Sequence, residues 1–110
     1  MKLAAFILLS CLTCNAADKA SWYGEDHRGL LMANGKRFDP DRLTAASWFY
    51  PLGTRVVVTH AGRRVVVEIT DRGPNKRLVN QGRMIDLSYA AFANLANPDS
   101  GLIAVTIKKP

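Results

Sequence analysis

Two runs of β-branched residues in the middle of the chain constrain its fold most. RVVVT at 55–59 and RVVVEI at 64–69 are separated only by the tetrapeptide HAGR. Val and Ile are stiff at χ1 and favour strands, and a short connection that contains Gly is typical of a hairpin. Neither valine triplet alternates with polar residues, which predicts that both faces of each strand are covered, as in a small closed barrel.

Shorter elements are predicted on either side of this hairpin. Strand patterns occur in ASWY at 20–23, MIDL at 84–87 and the alternating residues 102–108, and residues 41–47 are predicted to form one or two helical turns. Ser88 is expected to cap a helix that Asn97-Pro98 terminates. With 110 residues there is room for one domain. The predicted fold is all-β, a small six-stranded barrel with one or two short helices.

The first residues have the layout of a secretory signal peptide. Lys2 precedes an apolar run at 3–14, and small residues follow. We therefore expect a signal peptide at 1–17 and a mature domain at 18–110, although a buried N-terminal helix or strand would be the alternative. Cleavage at this point removes both cysteines. Alternatively, LLSC at 8–11 resembles a bacterial lipobox, in which Cys11 would be lipidated and would anchor the chain to a membrane.

Few side chains offer acid–base chemistry, and Asp71 is the most notable of them. It ends a predicted strand and precedes Gly73-Pro74, where the mouth of a barrel would open. Asp is also a common turn residue, so a turn role is the alternative. Glu25, Asp26 and His27 form one local cluster, and a metal site needs three or four converging ligands. Neither a metal nor a cofactor is expected.

Seven short segments occur in one order along the chain: SWYG at 21–24, ANG at 33–35, FD at 38–39, LTAA at 43–46, PLGT at 51–54, DRGP at 71–74 and IDLS at 85–88. Together they resemble the double-psi β-barrel domain of the rare lipoprotein A family, which are exported septal lytic transglycosylases of bacteria. The resemblance extends from residue 21 to about residue 107. No single motif is decisive, but seven in order are specific.

This resemblance implies an enzyme of the cell envelope or periplasm that acts on peptidoglycan glycan strands poor in stem peptides. The reaction would cleave the bond between N-acetylmuramic acid and N-acetylglucosamine and leave a 1,6-anhydro product. Because the sugar's own hydroxyl displaces the leaving group, one carboxylate can act first as acid and then as base. Asp71 matches the family's Asp in DRGP and is therefore the predicted catalytic residue.

Two positions depart from the family's pattern. Members commonly carry Glu after Ala-Asn-Gly and His after Thr-Ala-Ala, where this chain has Lys36 and Ser47. We expect Lys36 to bond a sugar hydroxyl and Ser47 to orient Asp71. A further hypothesis is that His27, or Glu25 beside it, folds over the groove and compensates for the missing pair.

The remaining expectations concern binding. Trp22, Tyr23, Asn34 and Arg72 complete the predicted substrate-binding set, with one of the two aromatic rings facing solvent and stacking on a sugar, whereas Asp86 is expected to anchor a loop or cap a helix. The net charge of +6 suits anionic wall polymers or lipid headgroups rather than nucleic acid. A monomer is expected. The alternatives are a non-catalytic, expansin-like glycan-binding module and an envelope interaction domain recruited through its basic face.

Overall fold

The computed structural model describes residues 18–110. The predicted signal peptide at 1–17 and the candidate lipidation site Cys11 lie outside the described residues. Seven strands and two short α-helices follow one another in the order β1 (Lys19–Tyr23), β2 (Thr44–Ala46), β3 (Arg55–His60), β4 (Arg63–Asp71), α1 (Lys76–Val79), β5 (Arg83–Ser88), α2 (Tyr89–Ala93), β6 (Ile103–Ala104) and β7 (Thr106–Lys108). Single 3-10 turns occur at Glu25–His27 and Pro98–Ser100.

The strands form one sheet in the order β6-β1-β5-β2-β4-β3-β7. Strands β1 and β5 are parallel, as are β2 and β4, and the antiparallel pair β2–β5 joins these two units. The hairpin β3–β4 extends the sheet on the other side. Parallel strands need long crossovers, and here residues 24–82 connect β1 to β5 while residues 47–62, which include β3, connect β2 to β4.

The C-terminal segment brings the two ends of the sheet together. Strand β6 pairs with β1 at one end of the strand order, and β7 pairs with β3 at the other. Only Val105 separates them, and it is buried while its N–H donates to the Asp18 carbonyl at 3.0 Å. Because nearly consecutive residues occupy both ends, the sheet curls into a barrel, and within residues 18–110 no long strand edge is left unpaired.

The central hairpin is confirmed, but one inference drawn from its valines is wrong. Ala61 and Gly62 both have positive φ, 48° and 84°, which is the geometry of the two-residue turns that match strand twist. Val65 and Val67 are buried, whereas Val66 is 45% exposed. The outer face of β4 is therefore not covered. β-Branched residues are favoured in strands even where one face is exposed, so a triplet of valines does not by itself indicate burial on both faces.

Two further expectations are corrected by the structure. Residues 44–46 are strand rather than helix, because Thr44 and Ala45 pair with Glu68 and Ile69 on β4. The alternating residues 102–108 form two strands with different partners instead of one. The barrel therefore has seven strands rather than six, while the all-β class and the two short helices agree with the prediction.

Helix α2 closes one end of the barrel. Ser88 caps it as predicted, since its Oγ accepts a hydrogen bond from the Ala91 N–H at 3.2 Å. The helix is shorter than expected and ends at Ala93. Phe92 is fully buried and belongs to the same core cluster as the strand residues Ala20, Ala45, Val56, Val58, Val65, Val67, Ile69, Ile85, Leu87 and Ile103. Among residues 18–110 there is no helix with the length and apolar character needed to cross a membrane.

Candidate active site

Asp71 is the last residue of β4 and lies half-buried at the point where that strand ends. Its Oδ1 accepts hydrogen bonds from the backbone N–H of Ala33 at 2.9 Å and from its neighbour Arg72 at 2.8 Å. The Asn34 N–H donates to the Thr70 carbonyl at 3.2 Å, which holds the Ala-Asn-Gly turn against the end of the strand. Asp71 thus binds local backbone as a turn residue would, and both of these bonds use the same carboxylate oxygen.

A cavity of about 310 Å³ opens beside this carboxylate. We refer to it as the Asp71 cavity, and its lining residues are Trp22, Tyr23, His27, Ala46, Asp71, Arg72, Arg83 and Asp86. Three separate strands, β1, β4 and β5, contribute polar side chains to it. Two carboxylates, one phenol and two guanidinium groups thus share a space large enough for a sugar ring.

Asp86 is the residue that the sequence interpretation undervalued. It lies on β5 between Ser21 of β1 and Ala46 of β2. The Ser21 hydroxyl donates to its Oδ1, and the Arg83 guanidinium approaches the same oxygen at 3.3 Å. These contacts are with residues of β1 and β5 and not with a loop or with helix α2, which Ser88 caps, and Asp86 also lines the Asp71 cavity. The alternation of side chains along β5 could have indicated this position. Ile85 and Leu87 are core residues, so Asp86 between them must face away from the core.

Tyr23 is fixed by aromatic neighbours. Its ring stacks on Phe38 with a centroid separation of 4.2 Å and meets the His27 ring edge-on at 5.4 Å. Burial raises the pKa of Tyr23 well above its ordinary value, and the negative charges of Asp71 and Asp86 raise that pKa further. One face of the ring is covered by Phe38, so the predicted stacking of this ring on a sugar has only the other face to use.

Trp22 joins the Asp71 cavity to a larger one. Its indole N–H donates to the Pro98 carbonyl at 2.8 Å, and its ring meets Tyr89 edge-on at 5.2 Å. The second cavity, which we call the Trp22 cavity, has a volume of about 510 Å³. Its lining residues are Trp22, Tyr23, Gly24, Glu25, Asp26, His27, Pro40, Asp41 and Tyr89. Since three residues line both cavities, the two form one groove.

The loop that was expected to compensate for the missing pair does reach this groove. His27 lines both cavities, and Glu25 lines the Trp22 cavity. Glu25 is engaged elsewhere, because Arg28 binds its two oxygens at 2.7 and 2.8 Å. The hydrogen bonds from Arg28 lower the pKa of the Glu25 carboxyl, which therefore stays ionised. His27 is the member of this pair that faces the Asp71 cavity.

Asn34 and Lys36 lie beside a neighbouring depression and are absent from the residues that line the Asp71 cavity. The depression is small, about 90 Å³, and also borders Thr70. The Lys36 N–H donates to Asn34 Oδ1 at 2.9 Å, which closes the turn. Their predicted contacts with substrate remain predictions.

Ser47 and Arg72 both act on the backbone around Asp71. Ser47 is only 1% exposed, and its Oγ accepts from the Phe49 N–H at 3.0 Å, while its own N–H donates to the Asp71 carbonyl at 3.1 Å. Arg72 Nη1 donates to the carbonyls of Ser47 and Tyr50, each at 2.7 Å. Ser47 thus positions Asp71 through the main chain, and the Arg72 guanidinium is anchored in the segment at 47–50.

No group of three or more His, Cys, Asp and Glu side chains converges as a metal site within the described part of the chain. The groove instead offers carboxylates beside a phenol and aromatic edges. Such a set can donate and accept protons and bind hydroxyl-rich ligands.

The sequence also matches a protein-family model described as "Lytic transglycolase" over residues 15–107. The chain belongs to this family. The resemblance and the double-psi barrel expected from the seven segments are thereby confirmed. A solved structure, the Streptomyces papain inhibitor (SPI), is similar with a TM-score of 0.65 and 30% identity, covering 82% of this chain and 88% of that one.

Several curated proteins are similar to this member of the lytic transglycolase family. "Probable endolytic peptidoglycan transglycosylase RlpA" of Synechocystis sp. is 47% identical over 85 residues, which is 76% of this chain and 25% of that protein. "Endolytic peptidoglycan transglycosylase RlpA" of Vibrio cholerae is 38% identical over 101 residues, 86% of this chain and 37% of that protein. This chain therefore spans only a minor part of these relatives. The Synechocystis protein ssl3177 is 40% identical and is matched over 97% of its length.

Proposed function

We propose that this chain is an exported lytic transglycosylase of the bacterial cell envelope. Its substrate would be peptidoglycan glycan strands poor in stem peptides, and the product would carry a 1,6-anhydro-N-acetylmuramic acid end. Membership of the lytic transglycolase family supports this proposal, as do the relatives named endolytic peptidoglycan transglycosylase. Because those relatives are much longer, the activity is proposed for this chain on the strength of its own site.

The observation that carries the proposal is the fixed position of the Asp71 carboxyl group in a cavity of sugar size. Two backbone N–H groups bind Oδ1, and no hydrogen bond among the described residues uses Oδ2. A carboxyl group held through one oxygen presents the other in a single direction. Positioning of this kind is what general acid–base catalysis requires, because the reacting atoms must lie within hydrogen-bond reach of the catalytic group.

The proposed reaction needs one proton donor and one proton acceptor, and a single carboxyl group supplies both. Protonated Asp71 delivers its proton to the glycosidic oxygen as the bond from that oxygen to C1 of the muramic acid breaks. The resulting carboxylate then accepts the proton of the O6 hydroxyl as O6 bonds to C1 and closes the anhydro ring. Atoms balance without water, and Asp71 ends in its starting state. Asp86 lies in the same cavity, where its charge favours the positive charge that develops on the sugar.

Incubation of the mature domain with denuded glycan strands tests the proposal directly. Mass spectrometry should find anhydro-muramyl products with the parent protein and none with Asp71→Asn. Asn keeps an oxygen to accept from Ala33 and Arg72, so this variant should fold as the parent does, which circular dichroism checks. Absence of product from the folded parent would contradict the proposed activity.

A non-catalytic glycan-binding module is the second candidate. Lys36 and Ser47 stand where relatives commonly carry Glu and His. Their placement favours this candidate, since Ser47 is buried and Lys36 lies outside the Asp71 cavity. Neither position supplies an acid–base group to that cavity. Retained binding to glycan strands without any product would support this candidate. Because a papain inhibitor is among the similar structures, the same preparation is also assayed for papain inhibition.

Export is part of the proposal, and the chain would act as a monomer. Removal of residues 1–17 would release a periplasmic domain, whereas lipidation of Cys11 would retain it at the membrane. Cell fractionation of the parent and of Cys11→Ala separates the two. A shift from membrane to soluble fraction in the variant is the result expected of a lipid anchor, and identical fractions indicate plain secretion.

A further inference from the structure

The Tyr23 hydroxyl is a buried polar group without a hydrogen-bond partner among residues 18–110. Buried hydroxyls in proteins are nearly always paired, because leaving one unpaired costs roughly 1–3 kcal/mol. An unpaired donor that lines a cavity therefore points to a ligand. Tyr23 is such a donor, since it lines both the Asp71 cavity and the Trp22 cavity.

The position of this hydroxyl is set by the ring that carries it. Phe38 stacks on the ring at 4.2 Å, and His27 packs against it edge-on at 5.4 Å. Tyr23 also belongs to β1, which pairs with β5 along its length. The phenol therefore cannot swing away to find another partner without loss of these contacts.

The hydroxyl keeps its proton at physiological pH and is therefore able to donate a hydrogen bond to a ligand. Burial, together with the charges of Asp71 and Asp86, raises the pKa of Tyr23 far above neutrality, so the phenol keeps its proton. No hydrogen bond among residues 18–110 joins the phenol to Asp71 or Asp86, whose Oδ1 atoms accept from backbone N–H groups and from Ser21 and Arg83 respectively. A protonated phenol that shares a cavity with two aspartate side chains can donate to an uncharged acceptor such as a sugar hydroxyl or an acetamido oxygen.

We propose that the Tyr23 hydroxyl donates a hydrogen bond to an oxygen atom of the glycan bound in the Asp71 cavity. The inference rests on the proposed function and deepens it by naming a specificity-determining contact. It also replaces the stacking role expected from the sequence, because Phe38 covers one face of the ring. The hydroxyl would hold the sugar beside Asp71 and Asp86. It would thereby supply a polar contact in a cavity that neither Lys36 nor Ser47 lines.

Tyr23→Phe tests this proposal because it removes only the hydroxyl. Both this variant and the matched control Tyr50→Phe are made in the Asp71→Asn background, so that denuded glycan strands are bound but not cut. The Tyr50 side chain packs against the core outside the two cavities. Calorimetric titration should show glycan affinity about 2- to 10-fold weaker for Tyr23→Phe and unchanged for Tyr50→Phe, as expected for one lost neutral hydrogen bond.

Thermal unfolding supplies the second readout. A hydroxyl that has no partner within the protein contributes no bond to the folded state, so Tyr23→Phe should melt at or above the temperature of its parent. A variant that melts several degrees lower would overturn the inference, because the hydroxyl would then have a structural partner. Unchanged glycan affinity in Tyr23→Phe would overturn it as well.

The same experiment separates this inference from the proposed activity. If the unsubstituted protein binds glycan but releases no anhydro product, and Tyr23→Phe weakens that binding, the proposed catalysis fails and the contact stands. If the protein cleaves glycan and Tyr23→Phe binds it normally, the contact fails and the catalysis stands. If no glycan is bound by any variant, both are overturned.

Discussion

Replacement of Arg72 by Ala should destabilise the domain strongly, although the sequence assigned this residue to substrate binding. Arg72 Nη1 donates to the carbonyls of Ser47 and Tyr50, each at 2.7 Å. Both bonds tie the segment at 47–50 to the strand end that carries Asp71. Ala at this position would leave the two carbonyls without this donor and release the segment from the barrel.

The size of the effect follows from those two contacts. A hydrogen bond to a charged group contributes about 1.5–3 kcal/mol, and because Arg72 is half-buried the lower part of that range applies. Two coupled bonds then amount to roughly 2–4 kcal/mol. In a domain of this size each kcal/mol lowers Tm by about 4–8 °C, so a decrease of roughly 8–30 °C is expected in a thermal melt followed by circular dichroism.

Arg77→Ala is the matched control, because Arg77 is an exposed residue of α1. Its effect on stability should stay within about 0.5 kcal/mol. The reasoning is refuted if Arg72→Ala melts within about two degrees of the parent and binds glycan more weakly. That outcome would return Arg72 to the substrate-binding role that the sequence suggested.

Three further predictions follow from burial and charge. Ser47→His should lower stability by about 1–3 kcal/mol without raising transglycosylase activity, because the residue is 1% exposed and lies outside the Asp71 cavity, so that the larger imidazole must displace buried neighbours and adds no acid–base group to that cavity; an equally stable and more active variant would contradict this. Phe92→Ala should cost about 3–5 kcal/mol in urea unfolding, since the ring is fully buried under α2, and a loss below about 1 kcal/mol would be inconsistent with that packing. Tyr23 should make stability fall as pH rises beyond about 10, where the unfolded phenol ionises while the folded one keeps its proton. Tyr23→Phe should flatten this decline in melts between about pH 9 and pH 11.5, and parallel curves would show that Tyr23 does not cause it.

The residues that surround Asp71 in the structure differ from those expected from the sequence. The family resemblance led to Asp71 with Lys36 and Ser47 at the positions of the usual Glu and His. The structure instead places Asp71 beside Asp86 and Tyr23, with His27 at the rim of the same cavity. Ser47 takes part through its backbone, and Lys36 lies in the adjoining depression. If the chain cleaves glycan, these neighbours are the groups available to support Asp71.

Local features of the fold were predictable because they depend on residues close in sequence. The central hairpin follows from β-branched runs around a Gly, and the cap of α2 follows from one Ser before an apolar stretch. Errors arose where partners were distant. Residues 44–46 carry a pattern that suits a helical turn, but pairing with β4 and β5 makes them a strand. Val66 belongs to a hydrophobic run, yet it is 45% exposed.

The sequence alone determined that Asp71 ends a strand and that its motif belongs with six others of one family, because both are matters of order along the chain. Only the tertiary structure decided which side chains surround Asp71. Tyr23, Asp71 and Asp86 lie on β1, β4 and β5, and their meeting depends on the parallel pairing of β1 with β5 and on the way the sheet closes. Strand register decides which face each side chain occupies, and that register is set by long-range packing of the core, to which residues far apart in the sequence contribute together.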